Sequence, residues 1–475
     1  MAISIDQRPL YNVMPIGQQV IFSVSQDQLV ATKFNVKFIA EVHVSNTAIV
    51  PATIPSLIGT FKTTPNNAGV GIFDLRPILE TFVSPDYEPN ATTFPSSTSE
   101  YKGITAIKEM FPMHLVDKYS VSVNSIKFFA IRFRIEYSET ANDPITIDVN
   151  EDTDSDQYTM FNGVLQYDDT LKLLNGNYGY DLDNAVNSRQ FYLYYYPANF
   201  LSNAPTTQYA RDTDYGTFPF FNFLPDVTDR VPNIIFTAYN SSGVAFLSNT
   251  LSNAPYNGGT WSFTTHSYNY LQYVGVFPAN IRQWNTVWDA EFTAGTIKYY
   301  TVQALNVGGF GVSDIYTINI TCPNERGYEG IRLAWLNQWG VWDYYTFNMK
   351  STRSIAAKRI PYTQARGTWN ESTFKISGYK GGKKNFRVNS TEKLKINTDF
   401  VTEEEGVWFE ELINSSEVYI VNGYEDDVAD TITNKYIEPV VLTTSSYVKK
   451  TIANDKLMQY TFEIEKSKMK RTQAV

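Results

Sequence analysis

Apolar residues recur at every second position through long stretches of the chain, the spacing of half-buried antiparallel strands. In KFNVKFIAEVHV, Phe34, Val36, Phe38, Val42 and Val44 fall on one face, with Lys33, Asn35, Lys37, Glu41 and His43 opposite. In KFFAIRFRIEY, Phe129, Ile131, Phe133, Ile135 and Tyr137 line one face, and Arg132, Arg134 and Glu136 the other. The run QFYLYYYP breaks the rule: Tyr192, Tyr194 and Tyr196 alternate with Phe191, Leu193 and Tyr195, so both faces are aromatic. A strand of that kind is either central in a sandwich or covered by a partner. In RLAWLNQWGVWDYYTF, Leu333 and Trp335 precede a turn at Asn337–Gly340, and Val341 to Phe347 return as an aromatic strand.

Two short helices interrupt this pattern. DLRPILETFV predicts one near 75–83, with Asp74 as the cap and Pro77 in the first turn, where a missing N–H costs little. TEEEGVWFEELINSS predicts another near 403–414. Thr402 and Glu405 stand at capping-box spacing, and Trp408 and Leu412 share the buried side. The fold class expected is mainly β and multidomain, built of antiparallel β-sandwich units with a few short helices. Turn-rich stretches divide the chain into a β-rich domain at 1–205, a sandwich at 206–325 and a β-rich domain at 326–475. In the middle unit, YTVQALNVGGFGVSDIYTINI resembles the last two strands of a fibronectin type III or immunoglobulin-like sandwich through Tyr300, Val302, Ala304, Asn306, Gly309, Gly311 and Ser313. No fixed-period repeat points to a solenoid or propeller.

Composition then shifts the expected chemistry. The 475 residues hold 33 Tyr, 30 Phe and 8 Trp but three His (His43, His114, His266) and one Cys (Cys322), so aromatic area is plentiful and the usual proton-transfer, thiolate and zinc ligands are scarce. Alternating Asn150, Asp152, Asp154 and Asp156 imitate a calcium loop, but Gln157 stands where the turn glycine is needed and no Glu follows at the twelfth position. His43, on the polar face of its strand, is expected to be solvated. No serine-nucleophile elbow, zinc-helix motif or phosphate loop is present, so no catalytic, cofactor-binding or metal-ligating residue is assigned. A glycosidase needs only two carboxylates, and that route stays open in a chain with 49 acidic residues. The opening MAISIDQRPLYNVMPIGQQ lacks a basic n-region and an apolar h-region, so no secretory signal is expected, and no apolar run is long enough to span a membrane.

Charge is unevenly placed. The net charge is −10, which argues against nucleic acid as a partner of the whole chain, yet from Lys350 to Lys395 twelve Lys and Arg face only Glu371 and Glu392. Tyr362, Trp369, Tyr379 and Phe386 are interleaved, and Lys380, Lys383, Lys384 and Arg387 form the candidate basic contact surface. One reading is a surface for nucleic acid or for an acidic protein neighbour, including head-to-tail contact between identical copies. The other is solvated hairpin tips and edge strands kept soluble by lysine. The candidate interface aromatics are Tyr192, Tyr194, Tyr196, Trp335, Trp339, Trp342 and Tyr344.

Three segments together resemble virion proteins of tailed bacteriophages, including crAss-like phages and others of Bacteroidetes-type hosts: MAISIDQRPLYNVMPIGQQVIFSV, GVGIFDLRPILETFVS and LAWLNQWGVWDYYTFNMKSTRS. The resemblance implies a structural role in a neck, tail, baseplate or attached fibre, without catalysis. It also implies assembly in a host cytoplasm into a symmetric oligomer alongside other virion proteins. The alternative expectation is an adhesin or depolymerase acting on host surface glycans through an aromatic platform or a carboxylate pair.

Overall fold

A computed structural model describes residues 2–9, 12–47, 57–87, 113–116, 118–122, 124–164, 199–222, 231–253, 270–306, 308–321, 327–421, 437–446, 448 and 458–471, with the backbone alone at 173–174 and 177–178. The chain is mainly β, its sheets largely antiparallel and its helices short. Contacts divide it into two units. The first holds Met1–Cys322, Trp335–Tyr344 and Gly423–Thr433; the second holds Pro323–Ala334, Tyr345–Asn422 and Asn434–Val475. The expected boundary near 325 falls close to this division. The one near 205 lies inside the first unit, where Tyr119–Val121 pairs with Leu271–Gly275.

The first unit begins with two stacked sheets. One has three strands, in the order Ser4–Gln7, Ile21–Ser25 and Val70–Asp74; the other centres on Ile126–Ser138 paired with Phe34–Ser45. Phe22 from the first meets Phe133 and Tyr158 of the second at 5.5 and 5.7 Å between ring centroids. The alternation in 129–135 is realised, with Phe129, Ile131, Phe133 and Ile135 all buried. The 34–44 pattern holds only at its centre. Phe34 is exposed at the strand's beginning, while Ile39 and His43 on the opposite face are buried. The expectation of a solvated His43 is therefore corrected: this strand is flanked by Leu57–Thr63 and Ile126–Ser138, and its middle is enclosed. The helix after Asp74 runs Arg76–Leu79 and continues as a 3₁₀ turn to Phe82. Asp74 accepts the Arg76 amide at 3.2 Å, capping the chain from one residue before Leu75.

A five-stranded sheet follows, in the order Thr207–Arg211, Tyr316–Thr321, Tyr299–Leu305, Asn233–Tyr239 and Ala245–Ser252. Tyr300, Val302 and Ala304 alternate into its buried face, as their spacing predicts. Part of this face meets a second three-stranded sheet, in the order Thr217–Phe221, Leu271–Gly275 and Tyr119–Val121, through Phe218 and Tyr316, 5.1 Å apart. The rest is packed by two helices that the sequence pattern does not predict, Pro278–Trp284 and Thr286–Ala294. Trp288 sits edge-on to Tyr300 at 5.7 Å, and Trp284 meets Phe236 at 5.8 Å. The sandwich expected for this unit is thus half helical. Both helices are too short to show a clear 3.6-residue stripe; Pro278 in the first turn and Asn285 as cap of the second define them instead.

The hairpin Ile331–Leu336/Trp342–Phe347 forms as its sequence implies, and both strands are almost wholly buried. Asn337 closes the turn: its carbonyl accepts the Gly340 amide at 3.0 Å and its side chain accepts the Trp339 amide at 2.9 Å. The tip belongs to the first unit, where Trp342 Nε1 donates to the Asp86 carbonyl at 2.7 Å and Asn337 Nδ2 to the Leu201 carbonyl at 2.9 Å. Buried Asp86 also accepts the Tyr273 hydroxyl at 2.8 Å and the Asn124 amide at 2.7 Å.

The second unit is one sheet and one helix. Its sheet order is Trp342–Phe347, Ile331–Leu336, Val418–Val421, Ile437–Leu442, Thr461–Lys466, Gly382–Asn397 and Thr352–Gln364. The helix Glu403–Asn414 has its capping box, with Thr402 N donating to Glu405 Oε2 at 2.8 Å and Glu405 N to Thr402 Oγ1 at 3.3 Å. It buries Trp408, Phe409 and Leu412, and Phe409 packs on Phe462 and Tyr345 of the sheet at 5.7 and 4.9 Å.

Gly340 has φ +69°, and a Cβ there would lie 1.3 Å from the Asn162 carbonyl oxygen. Positive φ and a backbone clash act together, so Gly340→Ala should destabilise the first unit by about 3 kcal/mol. Chemical denaturation followed by tryptophan fluorescence measures this; a loss below about 1 kcal/mol would show that the hairpin tip shifts freely.

Candidate functional site

The feature that packing leaves unsatisfied is an arm made from the last two strands of the second sheet. Thr352–Gln364 has thirteen residues and Gly382–Asn397 sixteen, paired in register from Thr352↔Lys395 to Gln364↔Gly382. Thirteen extended residues reach about 40 Å. Lys393–Asn397, at the base, also pair with Thr461–Glu465 of the neighbouring strand. Beyond them, among the described residues, only Ser390 makes a further bridge, exchanging backbone bonds with Lys470 at 3.1 and 2.9 Å. The distal arm is therefore a two-stranded ribbon.

Such a ribbon has two faces and no core. All but the last residue of Thr352–Gln364 are exposed. Ile355 is 68% exposed, Phe374 64%, Ile376 67%, Tyr379 78% and Trp369 87%, values that a folded interior would never permit. Ile360, Tyr362, Phe386 and Val388 are exposed along the same ribbon. A β-bulge between Ile360 and Pro361 bends the arm where proline could not donate to the ladder. The connecting loop 365–381 is folded back on itself, Thr368 N to the Lys375 carbonyl at 3.0 Å and Ser377 N to the Arg366 carbonyl at 3.2 Å. Gly381 and Gly382, at φ +96° and +79°, turn the chain into the returning strand.

The arm is strongly cationic, with eleven Lys and Arg against two Glu over 352–397. Lys380, Lys383, Lys384 and Arg387 are brought together in its distal part. Lys384 Nζ donates to the Tyr379 carbonyl at 3.2 Å, and Lys380 Nζ lies 5.8 Å from the Tyr379 ring centroid. The two Glu are already engaged: Glu371 pairs with Lys375 at 2.8 Å, and Glu392 pairs with Lys470. Near the C-terminus, Lys466 pairs with Glu438 at 2.9 Å.

The candidate aromatic interface is corrected. Trp335, Trp339, Trp342 and Tyr344 are buried inside the first unit and present no surface. Tyr344 OH lies 3.2 Å from Thr217 Oγ1, and its ring packs on Phe277 at 5.9 Å. Their strands are apolar on both faces because both faces are enclosed by the chain itself. Tyr192, Tyr194 and Tyr196 lie outside the described residues. The two most exposed rings among the described residues, Trp369 and Tyr379, are on the arm instead. Phe374, Ile376 and Ile355 escape sequence reading, although TRSIAAKRIPYTQ carries a usable signal: apolar and cationic residues are mixed on both faces, so neither is dry.

The calcium-like acids are spent on arginines: Asp152 on Arg134 at 3.1 Å, Asp154 on Arg132 at 2.7 Å and Asp156 on Arg8 at 2.7 Å. Among the described residues no group of three or more His, Cys, Asp or Glu is placed to hold a metal ion, and no helix is long and apolar enough to cross a membrane. No protein-family model matches the chain, and neither does any curated protein.

At the arm's base, the Lys470 ammonium bonded to Glu392 holds that carboxyl below its ordinary 4.5, with Lys466, Lys470 and Arg353 adding favourable charge. A lowered folded-state pKa adds stability that is present above 4.5 and lost as pH falls through the lowered value. Glu392→Gln should therefore melt below wild type at neutral pH, with the gap closing under acid conditions. Thermal melts from pH 7 to pH 3 test this; a gap independent of pH would assign the effect to packing.

Proposed function

We infer that the chain is a structural component of a tailed-phage particle, acting in a neck, tail, baseplate or fibre by binding other proteins. The observation that carries an assembly role is the arm: about 40 Å of ribbon with apolar, aromatic and cationic side chains on both faces. Two-stranded ribbons are marginal in water, and exposed clusters of apolar groups mark interaction sites. The phage context rests on the resemblance of the three segments quoted above, each of which contains ordered elements: the strands Ser4–Gln7, Val13–Pro15 and Ile21–Ser25, the stretch Val70–Phe82, and the hairpin at 331–347.

The mechanism is geometric. The sheet and helix of the second unit anchor the arm's base, and the arm carries its side chains outward to a neighbour. Binding would remove apolar surface from water at roughly 25 cal/mol per Å² and order few additional residues, because the ribbon is already paired.

Replacing residues 366–380 by Asn-Gly tests this reading by removing Trp369, Phe374, Ile376 and Tyr379 while leaving the sheet intact. The shortened chain should melt within a few degrees of wild type. Mass spectrometry of purified particles should find the wild-type chain at stoichiometric level and the shortened chain reduced at least tenfold. Absence of the wild-type chain from particles, or undiminished incorporation of the shortened one, would overturn the proposal.

A further inference from the structure

We propose that the arm's partner is a second copy of this chain, and that it docks head to tail on the acidic, apolar segment at 139–156. This rests on the assembly reading above and names the occupant. The argument is charge complementarity within one sequence. Over 352–397 there are eleven Lys and Arg and two Glu; the rest of the chain holds 28 Lys and Arg and 47 Asp and Glu. A second copy therefore offers the arm an acidic body. Its arm, by contrast, would repel the first, which disfavours arm-to-arm pairing about a two-fold axis.

The receiving segment is the most one-sided stretch of the first unit. ETANDPITIDVNEDTDSD contains seven carboxylates and no Lys or Arg. Glu139, Asp152, Asp154 and Asp156 are paired with Lys33, Arg134, Arg132 and Arg8 respectively. Asp143 accepts the Thr140 amide at 3.0 Å, and Asp148 accepts the Tyr137 hydroxyl at 3.2 Å. Between and beside these two acids, Ile145, Ile147 and Val149 are all exposed. Aliphatic side chains flanked by carboxylates match the arm's isoleucines and rings flanked by lysines and arginines. Thr146–Ile147 is a two-residue strand held by Glu136 and Tyr137 alone, so the segment also offers open backbone for an added strand.

The aliphatic content decides against nucleic acid. Ile355, Ile360, Ile376 and Val388 have no complement on a phosphate backbone, whereas they match exposed aliphatics on a protein. The surplus of carboxylates outside the arm would moreover repel a long polyanion.

Multi-angle light scattering and sedimentation on the full chain test the proposal. Wild type should associate at 50 mM salt and weaken at least tenfold at 500 mM. An arm variant (Lys383→Glu, Lys384→Glu, Arg387→Glu) and a receiver variant (Asp143→Lys, Val149→Lys) should each be monomeric alone with unchanged circular dichroism. Mixed, they should form 1:1 dimers and nothing larger, because one intact arm meets one intact receiver. Failure of the mixture to dimerise overturns the proposal, as does an arm variant that still associates. A monomeric wild type whose arm deletion still empties the particle would assign the arm to a different virion protein, sinking this inference while the assembly reading stands. An arm-dependent shift of a DNA or RNA duplex without self-association would likewise overturn it.

Discussion

Enclosure of both faces of the 331–347 hairpin is the constraint on which the rest of the structure depends. A hairpin with one apolar face can lie on a core; one with two must lie within it. Trp335, Trp339 and Trp342 are therefore surrounded, and Trp342 Nε1 reaches the carbonyl of Asp86 across 256 residues. Such a contact is costly in loop entropy and is repaid by the burial of large rings. The Asn337–Gly340 turn makes it feasible, because a residue larger than glycine at position 340 would collide with the Asn162 carbonyl. Chain connectivity does the rest: the hairpin ends at Phe347 and the arm begins at Thr352.

The arm obeys the opposite rule. Nothing in the second unit covers its distal part among the described residues, so its side chains face water on two sides. Cations serve such a strand in two ways. Lys383, Lys384, Arg387 and their neighbours keep an apolar edge from pairing with copies of itself, and the Pro361 bulge spoils a flat template. The same cations attract an acidic surface. Protection against indiscriminate pairing and selection of a particular neighbour thus arise from one set of residues, which is why the solvated-edge and contact-surface readings of this stretch are compatible.

Much of the fold is legible in the sequence wherever a local signal specifies a local geometry. Thr402 and Glu405 form their capping box, Asn337 to Gly340 form their turn, and Tyr300, Val302 and Ala304 line a buried face. Legibility fails where the deciding partner is distant. Nothing beside His43 tells that neighbouring strands enclose it, and in Pro278–Ala294 only Pro278 and Asn285 mark helix starts, with no apolar stripe to show that the helices cover a sheet. The site suffers the same fate in reverse. Two-faced aromatic strands look alike whether the chain itself or a partner encloses them, so Trp335 and Trp342 read equally as core or interface, and they are core.

Charge content separates the two cases better than aromatic content does. The strands Ile331–Leu336 and Trp342–Phe347 carry only Arg332 and Asp343, both buried, with Arg332 Nη1 donating to Thr346 Oγ1 at 2.9 Å. Thr352–Gln364 carries three cations in thirteen residues, and Gly382–Asn397 five in sixteen. A ring among neutral neighbours can be enclosed permanently, since its surroundings need no hydration. A ring between cations can be enclosed only where acids pair those cations, as Asp154 and Asp152 pair Arg132 and Arg134 on either side of buried Phe133; charge buried unpaired costs several kcal/mol per ion. A surface that brings carboxylates with it removes that penalty, which is why the proposed acidic partner suits the arm's chemistry.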